Sequence, residues 1–277
     1  MKFAKYQGIG NDFVMLSDPD DKLELTQQLV RSLCDRRVGI GADGVIRVAP
    51  SRRAHFFMDY VNSDGSPSEM CGNGIRCLAM FARAEGLTDE AVIDVDTLAG
   101  VKSVAVQGES ARVNMGPPIF DPARIPASLE NPGSDALRTK LELDGASLEA
   151  AVLSMGNPHA VLFVDDVNTV PVTTLGPRLE EHRFFPRGAN IGFATVDSGN
   201  RIRLRVWERG SRETLACGTG ACAAAVAARL LRGTEVKVTV VLRGGDLEIE
   251  WAGSATDGQP VFMTGPAVEV FRGEIDS

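Results

Sequence analysis

Two cysteines, Cys71 and Cys217, stand in nearly the same run of residues. Met70-Cys71-Gly72-Asn73-Gly74-Ile75-Arg76-Cys77 recurs as Ala216-Cys217-Gly218-Thr219-Gly220-Ala221-Cys222. In each copy a Gly-x-Gly turn opens an apolar helix, where unpaired backbone N–H groups and the positive end of the helix dipole favour an anion. A thiol so placed is drawn toward thiolate, into a range of roughly pKa 3.5–7.5 against about 8.5 for a free thiol. Both cysteines are therefore expected to act as bases or nucleophiles near neutral pH. Two equivalent bases suit a reaction in which one removes a proton from a carbon centre and the other returns one from the opposite face, a racemisation or epimerisation. The carbanion needs a place for its charge. No lysine stands in a convincing pyridoxal phosphate context, so the helix N-termini are the candidates for holding an α-carboxylate and the charge that spreads onto it. No cofactor and no metal are expected.

The elements that position these thiols follow from a duplication. Gly10-Asn11 recurs as Gly156-Asn157 and Cys71 as Cys217, both 146 residues apart, while Gly41-Ala42-Asp43 recurs as Gly188-Ala189-Asn190 at 147. Val113-Asn114-Met115-Gly116-Pro117 is echoed by Val261-Phe262-Met263-Thr264-Gly265-Pro266. The order is kept throughout, so two similar domains are expected, 1–118 and 119–266, with the tail 267–277 packed back on the first. The five prolines between Pro117 and Pro132 mark the connection. Strands are expected over Phe3–Leu16, broken at Gly8-Ile9-Gly10-Asn11, and over Val45–Val48, Phe56–Val61, Val92–Val95, Val101–Gln107 and Ala111–Met115. A helix capped by Thr26 is expected up to Asp35. Further helices are expected over Gly74–Ala84 and Gly220–Leu231. The last opens with eight small apolar residues, Ala221–Ala228, and must be buried all round. The expected fold is α/β (α+β): two pseudo-symmetric domains, each a mixed, curled sheet wrapped around a central helix, with the active site in the interdomain cleft.

At 277 residues the chain can bury two ordinary cores. Its 29 basic against 37 acidic residues give a net charge of −8, which argues against nucleic acid or an anionic membrane as partner. The start, Met1-Lys2-Phe3-Ala4-Lys5-Tyr6-Gln7, lacks the apolar core of a signal peptide, and no run reaches membrane-helix length. A cytoplasmic protein with five reduced cysteines is expected.

With Gly10-Asn11-Asp12-Phe13, Gly156-Asn157-Pro158-His159, Gly188-Ala189-Asn190-Ile191 and Glu208-Arg209-Gly210, the paired cysteine motifs resemble the diaminopimelate epimerase family over essentially the whole chain. The resemblance implies interconversion of LL- and meso-diaminopimelate, on the route to lysine and peptidoglycan, without pyridoxal phosphate or metal. It implies Cys71 and Cys217 as the acid/base pair, with His159 and Glu208 as further catalytic groups. It implies a substrate-binding set of Asn11, Asn62, Asn157, Asn190, Glu208 and Arg209, with Gly72-Asn73 and Gly218-Thr219 as carboxylate-holding turns, and a homodimer. The unreacting end of diaminopimelate carries an ammonium and a carboxylate, which suits Glu208, Arg209 and neutral amides. Gly44 departs from those family members that carry a glutamine there.

Other readings compete. Cys34, Cys77 and Cys222 are expected to be packing residues, as His55 and His182 are expected to be structural. Cysteine spacings of 6 and 5 do not suit a structural zinc site. Arg201, Arg203 and Arg205 read as a solvated strand face. A proline or hydroxyproline racemase relative shares the two-cysteine logic, but its substrate would leave Asn62, Asn190, Glu208 and Arg209 unpaired. A thiol redox switch or an inactive binding module is the alternative outside enzymes.

Overall fold

The computed structural model describes residues 1–128 and 135–275. The expected connection over 117–132 and the expected tail to 277 lie partly outside those residues. The chain divides into two compact units, Met1–Asn114 with Thr264–Ser277, and Met115–Met263.

The first unit contains β1 (Lys2–Gly8), β2 (Asn11–Ser17), α1 (Gln27–Cys34), β3 (Gly44–Ala49), β4 (Phe56–Asn62), α2 (Gly72–Ala84), β5 (Val92–Thr97), β6 (Gly100–Gln107) and the greater part of β7 (Ser110–Gly116). The second contains β8 (Thr139–Leu143), β9 (Ala146–Ser154), β10 (Pro158–Phe163), α3 (Val172–Glu180), β11 (Asn190–Ser198), β12 (Arg201–Glu208), β13 (Arg212–Glu213), α4 (Gly218–Arg232), β14 (Lys237–Leu242) and β15 (Gly245–Glu250). After β16 (Val261–Pro266) the chain adds β17 (Val268–Glu274), antiparallel to β1.

Successive pairs β1·β2, β2·β3, β3·β4, β4·β5 and β5·β6 are antiparallel, parallel, antiparallel, parallel and antiparallel. The pairs β9·β10, β10·β11, β11·β12, β12·β14 and β14·β15 repeat that alternation. A parallel step needs a crossover, and each one carries a helix: α1 and α2 in the first unit, α3 and α4 in the second. Each mixed sheet curls round its second helix. α2 touches β1, β2, β3, β6 and β17, and α4 touches all six strands from β9 to β12 with β14 and β15. Ten of the thirteen α2 residues are buried, which makes it a core element rather than a surface helix. The unbroken small residues of α4 let six strands approach it at once.

Strand register sharpens the repeat. Gly44 lies beside Phe13, and Asn190 lies beside His159. Since Phe13 and His159 are 146 residues apart, the structural counterpart of Asn190 is Gly44, and that of Asp43 is Ala189. The sequence match of Gly41-Ala42-Asp43 with Gly188-Ala189-Asn190 is thus out of structural register by one residue.

Three local expectations are revised. Both central helices begin two residues early, at Gly72 and Gly218, because the cysteine before each supplies the cap. α3 is absent from the sequence reading because Gly176 and Pro177 argue against a helix. Gly176 is there because a Cβ would come within 2.5 Å of the Trp207 ring, so the helix rests on that ring. The arginine face of β12 is also not merely solvated. Arg203 pairs with Asp166 and Asp197, while Arg205 binds Glu213 and donates to the carbonyls of Val167 and Val170.

Candidate active site

Cys71 is the N-cap of α2 and Cys217 that of α4, both in extended backbone at φ −129° and −126°. Each sulfur accepts the N–H three residues on, from Gly74 at 3.4 Å and from Gly220 at 3.3 Å. This is the task a serine or threonine hydroxyl usually performs. Space is tight at both partners. A Cβ on Gly74 would meet Ile46 Cδ1 at 2.7 Å, and one on Gly220 would meet Cys217 Sγ at 3.1 Å. Gly72-Asn73 and Gly218-Thr219 form the first helical turn of each, where backbone N–H groups lack helical partners.

Around Cys71, the first unit gathers Asn11 and Asn73. Asn11 Oδ1 accepts from Cys71 Sγ at 3.5 Å and from Asn73 Nδ2 at 3.3 Å, while Asn11 Nδ2 donates to Asp43 Oδ2 at 2.7 Å. Asn73 Oδ1 accepts from the fully buried guanidinium of Arg76 at 3.0 Å. Asn62 ends β4 and donates to Ser66 Oγ at 3.1 Å. Asp12 is held by Lys5 and Arg36. Burial alone would raise its pKa, but these two cations bring it down to about 2.

The second unit groups the other expected residues. Asn157 Oδ1 lies 2.9 Å from His159 Nε2. Asn190 donates to the Pro158 carbonyl at 3.0 Å and accepts from the Arg209 backbone N–H at 3.0 Å. Burial pushes the His159 pKa down to about 3, with a further push from the Arg209 charge, so the ring is neutral and its Nε2–H donates to Asn157. Glu208, at the end of β12, accepts from Thr214 Oγ1, and its carboxylate acts on the Cys217 thiol.

The expected drop in thiol pKa does not hold for Cys217. Burial raises it well above the ordinary value and the Glu208 carboxylate raises it further, outweighing the Thr219 hydroxyl and the Gly220 N–H. Removing an anion from water costs more here than one helix end returns. Burial likewise pushes Cys34 up to about 11 and Cys77 to about 12, as suits packing thiols. The His55 and His182 rings each accept a backbone N–H, from Asp94 and Phe184.

Asp43, Arg36, Asp12 and Thr214 escaped the sequence reading. Asp43 was visible only as part of a repeat landmark, and nothing in the spacing from Glu208 to Thr214 signals their contact. A groove of about 800 Å3 lined by Met1, Phe3, Leu23 and Phe81 contains none of the site residues. Among the described residues no three His, Cys, Asp or Glu side chains gather as a metal site, and no helix is long and apolar enough to cross a membrane.

The model of the diaminopimelate epimerase family matches residues 3–120 and 151–270. The chain belongs to the diaminopimelate epimerase family. It is 48% identical over 280 residues to the diaminopimelate epimerase of Moorella thermoacetica, covering 99% of each chain. It is 50% identical over 280 residues to that of Laribacter hongkongensis, again covering 99% of each. Among solved structures, a Bacillus anthracis phenazine biosynthesis protein of the PhzF family superposes with a TM-score of 0.73 at 17% identity, over 100% of this chain and 99% of that one. A probable proline racemase from Agrobacterium radiobacter does so with a TM-score of 0.69 at 16% identity, over 99% and 92%. This diaminopimelate epimerase family member therefore shares its fold with proteins of other names.

Proposed function

We propose that the chain interconverts LL- and meso-diaminopimelate by a two-thiol, cofactor-free proton transfer, supplying precursors of lysine and peptidoglycan. The observation that carries the reading is the cysteine N-cap, built twice at equivalent places in a chain of this family. One sulfur, as thiolate, takes the α-proton from one face of the carbon, and the other, as thiol, delivers a proton to the opposite face. The N–H groups of Gly72-Asn73 and Gly218-Thr219 receive the α-carboxylate, whose charge grows in the transition state.

Glu208 belongs with the reacting end, because its carboxylate raises the proton affinity of the Cys217 thiol. Its carboxylate holds the Cys217 proton while the sulfur is charged, which leaves the thiolate free to take the α-proton. His159, neutral and hydrogen-bonded to Asn157, positions that amide rather than carrying a proton. Arg209, Asn190 and Asn62 suit the ammonium and carboxylate of the unreacting end. The exposed apolar side chains Val268, Val270 and Phe271 on β17 fit the surface of a homodimer. An activity on a precursor of lysine and peptidoglycan suits a cytoplasmic setting.

The test is incubation of reduced protein with LL-diaminopimelate in D2O, following meso product and α-deuterium together, with proline in parallel. Deuterated meso product from diaminopimelate alone is expected. Exchange with proline instead moves the reading to a racemase, and exchange with neither removes the epimerase reading.

A further inference from the structure

Asn11 and Asn157 hold equivalent places in the repeat, yet they turn opposite ends of their amides to their neighbours. Asn157 gives Oδ1 to His159. Asn11 gives Nδ2 to Asp43 and turns Oδ1 toward Cys71 and Asn73. The amide of Asn11 has no choice. A carboxylate only accepts hydrogen bonds and a guanidinium only donates them. Asp43 therefore admits only the Nδ2 end of Asn11. At the far end of the chain of amides, Arg76 takes Asn73 Oδ1 and leaves Asn73 Nδ2 to face Asn11 Oδ1. Rotating Asn11 by half a turn would set two donors against each other at Asn73 and an oxygen against the Asp43 carboxylate.

Asp43 is itself locked. Its Oδ2 also accepts the Asp12 N–H at 3.2 Å, and its Oδ1 accepts from Arg36 Nη2 at 2.8 Å. Arg36 at the same time grips Asp12 with both nitrogens, and buried Lys5 closes the far side of Asp12 at 2.8 Å. In the second unit Ala189 stands where Asp43 would be, so no carboxylate fixes Asn157 in this sense.

We propose that Asp43 is a positioning residue for Cys71. By holding the Nδ2 end of Asn11 it keeps a carbonyl oxygen on the same sulfur that accepts the Gly74 N–H. A carbonyl there accepts from S–H and repels S⁻, whereas the Gly74 N–H favours S⁻. Asp43 thus sets how readily Cys71 gives up and takes back its proton. The charged groups tied into this network are Asp12 on β2, Lys5 on β1, Arg36 after α1, Arg76 on α2 and Asp43 itself. The role rests on the reading of Cys71 as an acid/base group, but it is tested without substrate.

The experiment is the pH dependence of iodoacetamide alkylation of the full chain, read peptide by peptide at Cys71 with Cys217 as internal control. Asp43→Ala is expected to raise Cys71 alkylation at pH 7 by about threefold or more, a shift of about half a pKa unit, leaving the Cys217 profile in place. Asp43→Asn keeps an acceptor for Asn11 without the charge, and is expected to stay near the unmodified protein. In an Asn11→Ala background, Asp43→Ala is expected to change nothing further. An equal shift in that background means that the Asp43 charge acts directly on the sulfur, and overturns the proposal, as does an unmoved Cys71 profile. Should Asp43→Ala fail to fold, Arg36→Ala alters an exposed side chain and frees the Asp43 carboxylate. Its effect on Cys71 must also vanish without Asn11, and its absence or persistence overturns the proposal.

Discussion

Glu208, whose carboxylate pushes the Cys217 thiol pKa up, stands at the last position of β12, the place that Asn62 takes at the end of β4. Two strands with equivalent roles thus end in a carboxylate in one unit and an amide in the other. Only the carboxylate can take up a thiol proton. Glu208→Gln removes that capacity while keeping the shape. Because the carboxylate pushes the thiol pKa up, the variant should let Cys217 alkylate at lower pH. It should also lower epimerisation by about 10²-fold or more, the usual worth of a positioned acid/base. Turnover at the unmodified rate would remove Glu208 from the chemistry.

Serine is the informative replacement for either cysteine, because a hydroxyl still accepts the N–H of Gly74 or Gly220. An alanine would also forfeit a cap worth about 0.5–2 kcal/mol. Cys71→Ser and Cys217→Ser should therefore melt close to the unmodified protein and each lose inversion. In D2O each should retain exchange without inversion at one α-configuration, the opposite one in the two variants. Inversion surviving in either variant contradicts the two-base reading.

The pH dependence of stability follows from His159. Its pKa falls from about 6.5 in the unfolded chain to about 3 in the fold through burial, with the Arg209 charge adding to the fall. The unfolded chain therefore binds a proton that the native state refuses. The stabilisation is complete above about pH 6.5 and is lost as pH falls toward 3, by up to about 1.4 kcal/mol per pH unit. Denaturant unfolding between pH 7 and 4.5 should show this slope, and His159→Gln should flatten it. The same slope in the variant would place its origin in other groups.

Much of this was legible in the sequence wherever a residue type admits one role. The cysteine pair on Gly-x-Gly turns pointed to both central helices, though with their starts two residues late, and the small residues of α4 gave its burial. Thr26 is the cap of α1, accepting from Leu29 N–H, because a β-region hydroxyl before an apolar-periodic stretch has little else to do. What stayed hidden depends on partners distant in the chain. Cys217 has its proton affinity set by burial and by Glu208, which no helix-end argument contains. α3 was hidden because Gly176 disfavours a helix until the Trp207 ring beneath it is known. Asp43 carried no signal because its partner Asn11 lies across a strand crossover.

Gly44 offers a last prediction, in the place where its counterpart Asn190 bears an amide. A Cβ on Gly44 would stand 2.6 Å from Tyr60 Cε2 and 2.7 Å from the Val61 carbonyl oxygen. Tyr60, 8% exposed and edge-on to Phe13 at 5.7 Å, fills that space. A glutamine side chain cannot enter this unit without displacing the ring. Gly44→Ala should destabilise by about 1–3 kcal/mol, the usual cost of overpacking. Gly44→Gln should cost at least as much. Shortening Tyr60 to valine, the residue at the equivalent Val206, should relieve the ring clash but leave the carbonyl one. Denaturant melts of Gly44→Ala alone and with Tyr60→Val should therefore show a coupling smaller than the single-variant loss. Full recovery in the double variant would assign the whole cost to the ring, and no coupling would mean that Tyr60 does not occupy the space above Gly44 in solution.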